Sequence, residues 1–95
     1  MARISYLKDK DFYINFDEAC IYHAEQIVAE ISSAIQLRLL EYMATNAMQW
    51  LSRDMLSSRW PEGVYSESTF YSTISHIRDI HPALSEAIES RKGIG

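Results

Sequence analysis

Apolar and polar positions follow a two-residue period near the start of the chain and a helical period after it. Phe12-Tyr13-Ile14-Asn15-Phe16 alternates and is rich in aromatic and β-branched residues, which predicts a half-buried strand. Asp17-Glu18 breaks the pattern. Ala19-Cys20-Ile21-Tyr22-His23 predicts a second strand, Ala24-Glu25-Gln26 a turn, and Ile27-Val28-Ala29-Glu30-Ile31 a third strand. Residues 12–31 therefore predict a small antiparallel meander with one face on the helices. Residues 1–11 are mixed and charged, and predict nothing firmer than an edge strand.

From Ser33 onward the pattern is helical. Ser33-Ala34-Ile35-Gln36 fits a capping box, in which the Ser oxygen accepts from a free amide and Gln reaches back. A helix follows to about Asn46, the expected left-handed C-cap. Leu39, Leu40 and Met43, with Ile35 or Gln36, supply its inner face. Ser52 is the next N-cap candidate, with Asp54 where a carboxylate favours the helix dipole. This second helix should carry Met55, Leu56 and Trp60 inward and end at Pro61 and Gly63. Ser66 opens a third, over about residues 66–80. Phe70, Ile74 and Ile77 form its apolar stripe; Ser68, Ser72, Ser75 and Asp79 fall opposite, with Tyr71 and Arg78 on one flank and Thr69 and His76 on the other. Pro82 stops continuation. Residues 83–87 suit a short helical turn, Ile88-Glu89-Ser90-Arg91 a strand, and Lys92-Gly93-Ile94-Gly95 a turn into a partner strand. Trp50, Phe70, Ile74 and Ile77 are assigned to the core.

The class implied is α+β in a single domain over residues 1–95: a meander at 12–31, three helices within 33–80, and a C-terminal hairpin at 88–95 whose last strand is cut short. Two Trp, six Tyr and three Phe supply large pieces of one core. No apolar window reaches the ~18 residues of a membrane span, and residues 1–6 lack the apolar stretch of a secretory signal. The single Cys20 cannot close an internal disulfide, so a reducing, cytoplasmic compartment is expected. Net charge is −4, from nine basic and thirteen acidic side chains, which weighs against nucleic acid. The charge is uneven. Residues 1–46 hold seven acids and four bases, whereas residues 47–95 hold six acids and five bases.

Enzyme chemistry finds little support. Cys20 and His23 on one strand would face opposite sides. His76 and His81 miss the i,i+4 spacing of a helical metal pair, and nothing is spaced to complete a site. No glycine-rich phosphate loop or nucleophile elbow occurs. No catalytic residue, metal or cofactor is therefore expected.

Six segments in order carry a resemblance: Leu39-Leu40-Glu41-Tyr42, Ser52-Arg53-Asp54-Met55-Leu56, Trp60, Ser66-Glu67-Ser68-Thr69, Ile74-Ser75-His76-Ile77-Arg78 and Lys92-Gly93-Ile94-Gly95. With the meander included, residues 12–95 resemble the winged helix-turn-helix DNA-binding domain of OmpR/PhoB-type bacterial transcription regulators, shared by the ToxR-like and CadC-like membrane-anchored activators. The resemblance implies sequence-specific binding of double-stranded DNA, with the helix over about 66–80 in the major groove. It implies that Ser68, Thr69, Tyr71, Ser72, Ser75, His76 and Arg78 meet bases or backbone, that Arg91 and Lys92 of the wing meet phosphate or the minor groove, and that Ser52 and Arg53 hold a phosphate at a helix start. It further implies self-association or a hetero-partner regulator on tandem sites, an RNA polymerase contact through loop 61–65, and a layout with no receiver domain ahead and a membrane anchor after Gly95. That layout would place the domain in the cytoplasm or at the cytoplasmic face of the inner membrane.

Three features depart from the family pattern. Arg78 is the only base of the recognition helix, the aromatic expected after Gly95 is missing, and the chain is acidic. A winged helix that serves as a protein-interaction module is the alternative they favour. A solvated helix face carries the same small hydroxyls, two terminal cations need no ligand, and Ser52 caps its helix in either case.

Overall fold

The computed structural model describes residues 1–5, 7, 9–55 and 67–91. Five strands lie among them: β1 (Ala2–Ile4), β2 (Phe12–Asn15), β3 (Cys20–His23), β4 (Gln26–Glu30) and β5 (Ile88–Ser90). Three helices of the described residues are α1 (Ala34–Thr45), α2 (Glu67–Arg78) and α3 (Pro82–Ala87). A helical turn at 53–55 marks where the second predicted helix begins. The remainder of that helix, with Leu56, Trp60, Pro61 and Gly63, lies outside the described residues, as do loop 61–65, Ser66 and the wing turn 92–95.

The predicted meander forms as β2-β3-β4, antiparallel throughout. Asn15 organises the first turn: its Oδ1 accepts from the Glu18 amide at 3.0 Å and its Nδ2 donates to Glu18 Oε1 at 2.8 Å. The second turn is Ala24-Glu25, and both residues have positive φ, 52° and 67°. A two-residue hairpin needs that geometry to match the strand twist, although Asn-Gly is its usual sequence. Register shifts between Ile21 and Tyr22, so Val28 is the extra residue of a bulge. Tyr13 and Tyr22 stack in register on the outer face, 4.9 Å apart. The Tyr22 hydroxyl donates to Glu18 Oε1 at 2.8 Å, and this bond to a carboxylate, with burial and the Glu18 charge behind it, pushes its pKa up to about 12. Burial likewise raises the Cys20 thiol.

The N-terminal segment behaves differently from a simple edge strand of the meander. β1 pairs antiparallel with β5, Arg3 opposite Glu89. On its other side Ala2 uses both its amide and its carbonyl on Leu51, at 2.9 and 2.7 Å, and Met48 donates to the Ile4 carbonyl at 2.8 Å. β1 is thus the middle of three extended segments. The two-residue period buries Ala2 and Ile4 and turns Arg3 outward.

Ser33 caps α1, its Oγ accepting from the Gln36 amide, but the Gln36 side chain makes no return bond among the described residues. Its C-terminal end departs from expectation. Asn46 has φ −113°, so it is not left-handed; its side chain donates to the Tyr42 carbonyl instead, and the positive φ of 72° falls on Met48. α2 ends at Arg78. Pro82 then stands at the first turn of α3, where its missing N–H costs nothing, and His81 Nδ1 accepts from the Ala83 amide at 3.0 Å as the cap. Phe12 stacks on His23 at 4.1 Å and meets the His81 ring edge at 5.1 Å, which ties the meander to α3.

One core joins Ala2, Ile4, Ile21, Ile31, Leu39, Leu40, Met43, Leu51, Phe70, Ile74, Ile77, Leu84, Ala87 and Ile88. Two core expectations fail. Trp50 is half-exposed rather than buried, because Leu51 takes the inward position of that extended segment. Met55 is exposed. Among the described residues no helix is long and apolar enough to cross a membrane.

Ile77→Ala should cost about 2–5 kcal/mol by urea denaturation, since its side chain is fully buried beside Phe70 and Ile74. The Tyr22 pKa makes a second prediction. A phenol whose folded pKa exceeds its unfolded value adds stability that is complete below pH ~10 and lost as pH rises towards 12. Glu18→Gln should return Tyr22 towards 10 in a phenolate absorbance titration and flatten that alkaline loss of stability.

Candidate nucleic-acid interface

Burial of Phe70, Ile74 and Ile77 fixes which face of α2 meets solvent. Spaced four and three apart, they lie on one side, and Ser68, Thr69, Ser72, Ser75 and His76 are exposed. Tyr71 and Arg78 are half-buried at the margin. The exposed face does not stand alone. Ser68, Tyr71, Ser72, Ser75 and Arg78 share an open groove with Ser90 at the end of β5. Helix and strand therefore share one open groove.

The joint between them is a small hydrogen-bonded node. The Tyr71 hydroxyl donates to the Arg91 carbonyl at 2.7 Å, and the Met1 amino group donates to that carbonyl at 2.8 Å and to the Tyr71 oxygen. The Arg91 amide donates in turn to the Met1 carbonyl at 2.7 Å. Tyr71, expected to meet a base or the backbone, uses its hydroxyl at this node. Arg78 also points elsewhere than anticipated: its guanidinium donates to the Ser85 carbonyl at 3.2 Å, clasping α2 to α3. Thr73, which carried no role in the sequence reading, donates to the Thr69 carbonyl one turn back at 2.9 Å.

The remaining candidates lie apart from the groove or at its rim. Ser52 Oγ accepts from the Met55 amide at 3.4 Å, the capping role, and Arg53 pairs with Asp54 at 3.5 Å. Arg91 is exposed, and its guanidinium carbon sits 4.5 Å from the centroid of the Trp50 ring. The Arg3 guanidinium lies over the same ring at 4.6 Å and pairs with Glu89 at 3.4 Å. Lys92 lies outside the described residues.

The sequence reading passed over Arg3 and Trp50 because nothing in their spacing links residue 3 to residue 50 or to residue 91. Only β1, lying between Leu51 and β5, brings them together. The same holds for Asp9, Asp11 and His23, whose ligand-type atoms lie within 4.8 Å of one another. The hairpin register sets Phe12 opposite His23, and there Asp9 Oδ1 accepts from the Asp11 amide at 2.9 Å while Oδ2 lies 3.1 Å from His23 Nε2. These bonds, the amide first, hold the Asp9 carboxyl below its usual range.

No family model matches the chain, and no curated protein or solved structure matches it.

Tyr71→Phe should cost about 1 kcal/mol and, more specifically, should speed hydrogen exchange at the Arg91 amide while leaving exchange in the meander unchanged. Equal acceleration throughout would mean that Tyr71 acts only through global stability.

Proposed function

We propose that this chain is a winged helix-turn-helix domain of the OmpR/PhoB type, that it binds double-stranded DNA in a sequence-specific manner as a bacterial transcription regulator, and that α2 is its recognition helix. The observation that carries the reading is the exposed hydroxyl face of α2, set beside Ser90 and Arg91 at the end of β5. A helix of twelve residues is long enough to cross a major groove, and Ser68, Thr69, Ser72 and Ser75 can each donate to or accept from base edges. His76 and Arg91 reach backbone or groove edges, and Ser52 and Arg53 stand at a separate helix start suited to a phosphate.

Few cations are available, so phosphate neutralisation is modest and affinity falls only gently with salt. Binding as a pair on tandem sites, as homodimer or with a hetero-partner, raises effective concentration without new contacts. A polymerase contact at loop 61–65, and a membrane anchor beyond residue 95 in a longer protein, belong to the same reading.

The protein-interaction alternative draws support from one observation. Arg78, the one base on α2, donates to Ser85 and so is turned towards α3. Salt separates the two readings: a DNA reader loses affinity as salt rises, and an interaction module retains no duplex at any salt.

Replacing Ser72 and Ser75 together by Glu places two carboxylates on the groove face while sparing the buried stripe. Fluorescence anisotropy should then show loss of specific duplex binding with an unchanged melting temperature. Wild-type affinity in this variant would remove α2 as the reading element.

A further inference from the structure

The outer face of the β1–β5 sheet carries a feature that the recognition helix does not require. Two guanidiniums, Arg3 from β1 and Arg91 just past β5, lie over the single indole of Trp50, at 4.6 and 4.5 Å from its centroid. They come from strands far apart in sequence. The strand register explains the meeting. Ala2 and Ile4 point into the core, so Arg3 points out, opposite Glu89; Leu51 points in beside Ala2, so Trp50 stays half-exposed.

Two like charges over one ring repel, and among the described residues their compensation is incomplete. Glu89 lies 3.4 Å from Arg3 and is itself half-exposed, an arrangement worth little against solvent. Among the described residues no carboxylate lies within ion-pair distance of Arg91. The indole face attracts both cations and limits their rotamers, and a stacked guanidinium retains in-plane N–H donors, although the Arg3 Nε is itself buried without a partner. Each guanidinium so held is a preorganised donor for an oxygen anion.

Its position indicates which anion. The Arg91 carbonyl is the acceptor of the Tyr71 hydroxyl and Arg91 follows Ser90, so its backbone borders the groove formed by α2 and Ser90 while its side chain reaches the outer face of the sheet. A duplex seated with α2 in its major groove would carry its backbone along this flank. We infer that Arg3, held with Arg91 on Trp50, is a phosphate clamp, and that the N-terminal strand is thereby part of the DNA interface. This rests on the DNA-binding reading above. It also supplies the cations that α2 lacks.

The test is a salt titration of duplex affinity for the full chain and for Arg3→Gln, Arg91→Gln, Arg3→Lys and Trp50→Ala, with S72E/S75E in parallel. Each Gln variant should lose affinity several-fold at low salt and lower the salt slope by about one, with sequence preference retained. Arg3→Lys should keep the slope but lose part of the affinity, since an ammonium neither stacks nor bridges as a guanidinium does. Trp50→Ala should weaken binding although every charge is present. Melting temperatures of the Gln variants should stay near wild type, because both guanidiniums lie outside the core. A wild-type slope in Arg3→Gln, while S72E/S75E abolishes specific binding, would overturn the clamp and leave the α2 reading intact. No duplex binding by the wild-type chain at any salt would overturn both.

Discussion

Burial of Phe70, Ile74 and Ile77 is the constraint on which the rest of the arrangement depends. These three side chains cannot all leave water unless α2 lies flat on the core built by Leu39, Leu40 and Met43 of α1. Once it does, the helix has no rotational freedom left. Ser68, Thr69, Ser72, Ser75 and His76 must face solvent, and the hydroxyl surface follows from the apolar stripe rather than from any attraction among the hydroxyls. Arg78 reinforces the placement by clasping Ser85, which keeps the end of α2 against α3.

β1 supplies the second half of the construction. A three-residue strand is marginal alone, but this one is paired on both sides, with Leu51 and with β5, and it buries Ala2 and Ile4. It closes the sheet that follows α3 and fixes the height of β5 relative to α2 through the Tyr71–Arg91–Met1 node. The same alternation that buries Ala2 and Ile4 delivers Arg3 to the outer face beside Trp50. Core packing and surface charge are in this way two sides of one short strand. An acidic chain can thus still gather two cations over one indole, which is why net charge alone is a weak guide to its partners.

Much of this was legible beforehand wherever the signal was local. The three strands within 12–31, the Ser33 cap, the α2 stripe and the strand at 88–90 all follow from neighbouring residues, and all form, although β4 leaves Ile27 and Val28 exposed. What escaped depends on long-range pairing or on backbone geometry without its usual residue. Ala24-Glu25 adopts positive φ with no Asn or Gly to announce it, and Met48, not Asn46, takes the left-handed position after α1. Trp50 is expected in the core, yet its neighbour Leu51 occupies the inward position once β1 pairs there. Of the candidate site, the exposed face of α2 was readable from periodicity alone. The inward turn of Arg78, the engaged hydroxyl of Tyr71 and the meeting of Arg3 with Arg91 were not, since each is settled by a partner distant in sequence or in another element.

If the hydroxyl face of α2 reads DNA sequence, selection by the purified chain from a randomised duplex pool at low salt, followed by sequencing of the retained fraction, should yield an enriched motif, in direct or inverted repeat where two copies bind together. Retention of no duplex, or of duplex without any sequence preference, would contradict it.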